Sequence, residues 1–98
     1  MKKLKNYLEF QESLQNDKPD VEWQDGLKAL WYDAKGDWEA SHNIAQDLPT
    51  QLGSLIHAYL HRKEGDEFNA GYWYRQSNSS FPKISLEDEL QKIVESIL

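Results

Sequence analysis

The sequence contains no cysteine, which excludes disulfide bonds, thiolate metal ligands and a cysteine nucleophile. It contains no apolar run of the roughly 20 residues that a transmembrane helix requires, and no apolar signal-peptide segment follows the lysines near the N-terminus. We therefore predict a soluble protein without membrane contact. The lack of cysteine is also compatible with the cytoplasm, which is the location we expect.

Basic residues are scarce: the chain has 11 Lys and Arg against 17 Asp and Glu, a net charge of -6. An acidic chain repels nucleic-acid phosphates unless its basic side chains gather on one face. The two basic clusters, at residues 2–5 and 61–63, are short, so we predict no nucleic-acid partner. No phosphate-binding loop, dinucleotide fingerprint or Ser-His-Asp spacing is present. We therefore predict no cofactor and assign no catalytic residue.

Apolar and aromatic residues are plentiful, at 39% and 12% of a chain of 98 residues. This content and length predict one domain over residues 1–98 with a packed core. Apolar residues recur three or four positions apart along most of the chain, a spacing typical of helices. The sequence therefore predicts an all-α fold, a compact bundle of about five to six helices with short connections.

The two ends of the chain each carry a predicted amphipathic helix. The N-terminal helix lies within residues 1–18, and the apolar side chains on one face are Leu4, Tyr7, Leu8 and Leu14. The C-terminal helix lies within residues 84–98, and Ser85 fits its N-cap. The apolar face of the C-terminal helix could complete the core or bury against a second copy of the chain.

Two helix–turn–helix units in the middle of the chain resemble each other. Each has a helix, a Gly-Asp corner (Gly36-Asp37 and Gly65-Asp66), and a second helix that opens with an aromatic residue and an alanine. Glycine accepts the left-handed conformation that ends one helix, and aspartate caps the next. These hairpins resemble tetratricopeptide and Sel1-type repeats, although independent helical hairpins would give the same pattern.

A longer pattern covers residues 23–76. Its hallmark, in one-letter code, is HAYLHR-x-EGD-x-x-NA-x-YWYR over residues 57–75, and an upstream part holds the Gly36-Asp37-Trp38 corner and His42. This pattern resembles that of a family of small uncharacterised helical proteins of bacteria and fungi. The resemblance supports a helical fold and implies no activity.

Three side chains of the hallmark form a candidate metal site. His57, His61 and Glu64 lie at i, i+4 and i+7, so they project along one stripe of a helix. Two imidazoles at this spacing can share a Zn²⁺ ion, a carboxylate can add a third ligand, and His42 could reach the same region. The alternative is that the histidines bond to neighbouring helices or face water, while Glu64 and Asp66 pair with Arg62 or Arg75.

The aromatic run at residues 72–74 forms a second candidate site, because its side chains point all around a helix. Such residues either pack on several sides or present a binding surface. The binding interpretation predicts a groove for a peptide or small ligand. The candidate residues of that groove are Tyr59, His61, Arg62, Trp73, Tyr74 and Arg75.

These patterns favour two functions of different kinds. The first is a helical module that binds a protein partner or forms a homodimer, because hairpins and aromatics are present and a catalytic signature is not. The alternative is a metal-binding protein or metal-dependent enzyme that uses the His57/His61/Glu64 stripe.

Overall fold

A computed structural model of the protein describes residues 3–98, and all regular secondary structure in that range is helical. The predicted all-α bundle is therefore confirmed, with six helices. Residues 1 and 2, which belong to the predicted domain and N-terminal segment, lie outside the described residues. The helices are α1 (Tyr7–Ser13), α2 (Asp25–Ala34), α3 (Trp38–Gln46), α4 (Gln51–Lys63), α5 (Glu67–Gln76) and α6 (Leu86–Ser96).

Five of these helices begin at a side chain that caps the first turn. A free backbone N–H at a helix start is satisfied when an Asn, Asp, Ser or Thr oxygen accepts its hydrogen bond. Only α2 starts without such a bond among the helices of residues 3–98. The capping residues are Asn6, Asp37, Thr50, Asp66 and Ser85.

The two Gly-Asp corners have matching geometry. Gly36 and Gly65 adopt φ of 93° and 88°, in the left-handed region that favours glycine. The amide of Asp37 donates to the Tyr32 carbonyl, and the amide of Asp66 donates to the His61 carbonyl, both at 2.9 Å. These bonds satisfy carbonyls at the ends of α2 and α4. The two predicted hairpins, α2–α3 and α4–α5, are therefore closed by the same turn.

Helix α4 lies at the centre of the bundle and contacts α2, α3, α5 and α6. The apolar residues of α4 recur three or four positions apart, as predicted for the helices of this chain, and this stripe places Ile56, Tyr59 and Leu60 in the core. Helix α6 packs on α1, α2 and α4 of the same chain and buries its apolar face there. Within residues 3–98, no helix has both the length and the apolar character needed to cross a membrane.

The first helix departs from the predicted stripe. It spans seven residues, and Leu4 precedes it. Leu8 is 62% exposed, while Phe10, which the predicted stripe did not include, is fully buried. The reason is the rotation of this short helix, which turns Tyr7 and Phe10 towards the core and leaves Leu8 on the outside.

Candidate functional site

The three histidines of the chain come together in one cluster. His57 and His61 lie one turn apart on α4, with ring centroids 4.9 Å apart. His42, on α3, places its ring centroid 4.6 Å from that of His57 and 5.4 Å from that of His61. One ring nitrogen from each histidine lies within 4.8 Å of those of the other two. We call these residues the histidine cluster.

The packing of α3 against α4 brings His42 to the other two histidines. Trp38, one turn before His42, donates its indole N–H to the Leu60 carbonyl at 2.9 Å. This bond fixes the start of α3 against the last turns of α4. A residue four positions after Trp38 lies on the same face of α3, so His42 faces His57 and His61.

Two tryptophan rings enclose the histidine cluster. Trp38 stacks on His42 with a centroid distance of 4.8 Å, and Trp73 of α5 stacks on His57 at 4.1 Å. The interplanar angles are 13° and 15°, so both pairs are nearly parallel. Offset stacking of this kind holds aromatic rings in fixed orientations. The sequence predicted that Trp73 lines a groove, and it gave no prediction that Trp38 contacts the histidines. Only the i, i+4 spacing of Trp38 and His42 hinted at their contact.

The surroundings of the histidine cluster keep two of its imidazoles neutral. Burial lowers the pKa of His57, and the neighbouring His42 and His61 add to this by repelling a positive charge, so that the pKa is about 4. Burial and His61 also lower the pKa of His42, against a smaller opposing effect of Glu64. A neutral imidazole has a free lone pair, which is the form that binds a metal ion.

Two carboxylates border the histidine cluster at His61. The Nδ1 atom of His61 lies 2.8 Å from Oε1 of Glu64 and 4.0 Å from Oδ2 of Asp66. Asp66 also caps α5 and accepts hydrogen bonds from the backbone and side chain of Asn69, which lower its pKa. The structure thus brings the four predicted metal-site residues together, with Glu64 bound to a histidine.

The two cations next to His61 bind buried carboxylates elsewhere. Arg62 contacts Glu89 of α6 with 2.7 Å between Nη1 and Oε1, and Lys63 contacts Asp33 of α2 with 3.0 Å between Nζ and Oδ1. The alternative pairing of Glu64 or Asp66 with Arg62 does not occur. The charged groups closest to the imidazoles are therefore carboxylates, which favour a bound cation.

The six residues of the predicted groove occupy different environments. Tyr59 and Tyr74 are buried, and their hydroxyls donate to Asp33 at 3.1 Å and to Glu89 at 2.6 Å. Burial raises the pKa of both phenols. Arg62 forms an ion pair with Glu89, and Arg75 is exposed. The other two residues, His61 and Trp73, belong to the site just described. The binding role predicted for this set stays a prediction.

The fold and the site together define a small helical bundle whose two hairpins share a cluster of three histidines between tryptophan rings. No family model, curated protein or solved structure matches this chain. The site is therefore interpreted from its own geometry and chemistry.

Proposed function

We propose that the protein binds a divalent transition-metal ion, with Zn²⁺ as the first candidate, through His42, His57 and His61. The observation that carries the proposal is the convergence of three imidazole nitrogens, from two helices, to within 4.8 Å of one another. In a tetrahedral zinc site, Zn–N bonds of 2.0–2.1 Å put ligand nitrogens about 3.4 Å apart. Small side-chain rotations would bring the three nitrogens to that distance.

The chemistry of the donors supports this choice of ion. Imidazole suits Zn²⁺, Cu²⁺ and Ni²⁺, whereas Mg²⁺ and Ca²⁺ prefer oxygen ligands. The low pKa of His57 means that no proton has to leave this ligand at neutral pH. Three protein ligands leave a fourth tetrahedral position for water or a substrate, which is the arrangement of catalytic zinc sites. This supports the metal-dependent enzyme among the functions predicted from the sequence.

The test is zinc titration by calorimetry on protein purified without a histidine tag. The chain has three histidines and no cysteine, so any nitrogen ligand from an imidazole must come from this cluster. We expect one zinc per chain and an affinity at least 100-fold weaker for His42→Ala, because loss of an outer hydrogen bond alone costs about 10–100-fold. His42 is chosen because it is only partly buried, whereas His57 is buried, and circular dichroism would check that the variant is folded.

The matched control is Asn43→Ala, on the next residue of α3, which is exposed. We expect zinc binding by this variant to equal that of the wild type. A wild-type protein that takes up no zinc, copper or nickel would refute the proposal, as would a His42→Ala variant with unchanged affinity.

The interaction module is the second candidate function, and the outer face of α5 favours a homodimer. Phe68 and Tyr72, one turn apart, are 85% and 45% exposed. Arg75 on the same face is exposed and has no ion pair among residues 3–98. The first turn of α5 is acidic, with Glu67. Antiparallel pairing of two copies would bury the aromatic rings and place Arg75 of each copy near the acidic turn of the other.

Sedimentation equilibrium of zinc-free protein tests the homodimer. We expect a monomer–dimer equilibrium that shifts to monomer in Phe68→Ser, because the substitution removes the apolar side chain of α5 with the greatest exposed fraction. The control, Leu8→Ser, alters an exposed apolar residue of α1 and should leave the equilibrium unchanged. A wild-type protein that stays monomeric at all concentrations would exclude this interface.

A further inference from the structure

The hydrogen bond between His61 and Glu64 occupies one of the two ring nitrogens of His61. The Nδ1–Oε1 distance is 2.8 Å. Because a carboxylate only accepts, Nδ1 carries the ring proton and donates a hydrogen bond to Glu64. The nitrogen that remains for a metal ion is Nε2. Histidines that bind metal ions commonly donate the other ring N–H to a carboxylate or carbonyl in this way.

The turn that carries Glu64 is itself anchored to His61. Glu64 follows the last residue of α4, and its amide donates to the Leu60 carbonyl at 3.2 Å. Two residues further on, the amide of Asp66 donates to the carbonyl of His61 at 2.9 Å. The backbone of His61 and its ring therefore contact the same Gly-Asp corner. This local structure holds the backbone of Glu64 at a place from which its carboxylate reaches the imidazole.

Asp66, the other carboxylate near Nδ1, is engaged elsewhere. Its two oxygens accept from the Asn69 backbone amide at 3.1 Å and from the Asn69 side-chain amide at 2.6 Å. The distance from Asp66 to Nδ1 of His61 is 4.0 Å, which exceeds a hydrogen bond. Glu64 is therefore the carboxylate that holds the His61 ring.

We infer that Glu64 is a positioning residue of the metal site and not a ligand. It keeps His61 in the tautomer with the proton on Nδ1, orients Nε2 for the ion and increases the basicity of the imidazole. To act as a ligand, the Glu64 carboxylate would first have to break its bond with His61. This inference rests on the proposed metal site.

The first test measures zinc affinity and the visible spectrum of the Co²⁺-loaded protein for Glu64→Ala and Glu64→Gln. We expect zinc binding to weaken about 10–100-fold in Glu64→Ala and less in Glu64→Gln, whose amide oxygen still accepts from Nδ1. The Co²⁺ spectrum should keep its shape in both variants, because the three nitrogen ligands are unchanged. Glu95→Ala, which removes an exposed carboxylate of α6, is the control and should bind zinc as the wild type does.

The second test needs no metal: ¹⁵N–¹H correlation spectra of the histidine rings in zinc-free protein. We expect His61 to be protonated on Nδ1 in the wild type and to shift towards the Nε2–H form in Glu64→Ala. Unchanged affinity and tautomer in Glu64→Ala would overturn the inference, and so would a Co²⁺ spectrum that reports the loss of a ligand. If the wild type binds no metal while Glu64 still controls the tautomer, the proposed metal site is overturned, and only the part of the inference in which Glu64 holds the His61 ring remains.

Discussion

Replacement of Arg62 by alanine is expected to lower the free energy of unfolding by about 3–5 kcal/mol. Arg62 is the cation that faces the buried carboxylate of Glu89, and it also donates to the Ile84 carbonyl in the loop before α6. Without Arg62, the Glu89 charge stays in the interior with the Tyr74 hydroxyl as its remaining partner. A buried charge without a counterion costs more than the ion pair contributes.

The removal of the Arg62 side chain affects α6 and the loop that precedes it. Arg62, Tyr74 and Glu89 belong to α4, α5 and α6, so the network joins the second hairpin to the C-terminal helix. Phe81 of the connecting loop lies over the guanidinium at 5.9 Å and against the Tyr74 ring at 5.1 Å. Loss of the guanidinium therefore frees both the loop and α6.

Thermal and urea unfolding would measure the effect, and two further variants would assign it. For a domain of this size, a loss of 3–5 kcal/mol lowers Tm by more than about 12 °C. Lys83→Ala removes an exposed cation from the same loop and should change stability by less than about 0.5 kcal/mol. Arg62→Met combined with Glu89→Gln should restore at least half of the loss, because no charge is then buried. An Arg62→Ala variant as stable as the wild type would show that the ion pair is unimportant.

Acidification of the metal-free protein is expected to reduce its stability by about 3 kcal/mol through His57 alone. The pKa of His57 is about 4 in the folded protein, whereas that of an unperturbed histidine is 6.5, so the unfolded chain binds a proton more readily between these pH values. The contribution of the neutral His57 side chain to the free energy of unfolding is fully present above pH 6.5 and disappears as the pH falls towards 4. About 2 kcal/mol of this contribution is lost by pH 5. The lowered pKa of His42 acts in the same direction.

Urea unfolding at pH 7 and pH 5 would measure this loss, and His57→Gln is the comparison. Glutamine cannot be protonated, so the variant should lose about 2 kcal/mol less than the wild type between the two pH values. The other titratable side chains near His57 are His42 and His61, and Glu64 contacts His61. Equal losses in wild type and His57→Gln would mean that His57 titrates normally.

The parts of the fold that the sequence predicted correctly are those with a local physical cause. Gly36-Asp37 and Gly65-Asp66 end one helix and cap the next through bonds within a few residues, so sequence alone could locate both corners. The stripe of α4 was equally clear, since a helix at the centre of a bundle repeats apolar residues at regular spacing. Helix α1 is short, and its rotation depends on contacts with α6 and on the hydrogen bond from Trp31 of α2 to the Ser13 carbonyl. Leu8 was therefore wrongly placed on the apolar face, and Phe10 was omitted from it.

The histidine cluster could be predicted in part. The spacing of His57, His61 and Glu64 on one helix placed them together, and the position of His42 on the preceding hairpin suggested that it could reach the same region. The stacking of Trp38 and Trp73 depends on the distance between α3, α4 and α5, which no local rule determines. The same limit applies to Arg62 and Lys63, whose partners lie 27 and 30 residues away. For Arg62, the sequence therefore indicated Glu64 and Asp66, which are nearer along the chain.

The histidine cluster draws on both hairpins: His42 belongs to α2–α3, and the other two histidines belong to α4–α5. In proteins built from stacked helical hairpins, the angle between successive units sets the curvature of the whole stack. An ion held by residues of both hairpins would fix that angle at one value. The availability of metal would then determine the curvature of this two-hairpin stack, and with it the shape that the protein presents to any partner.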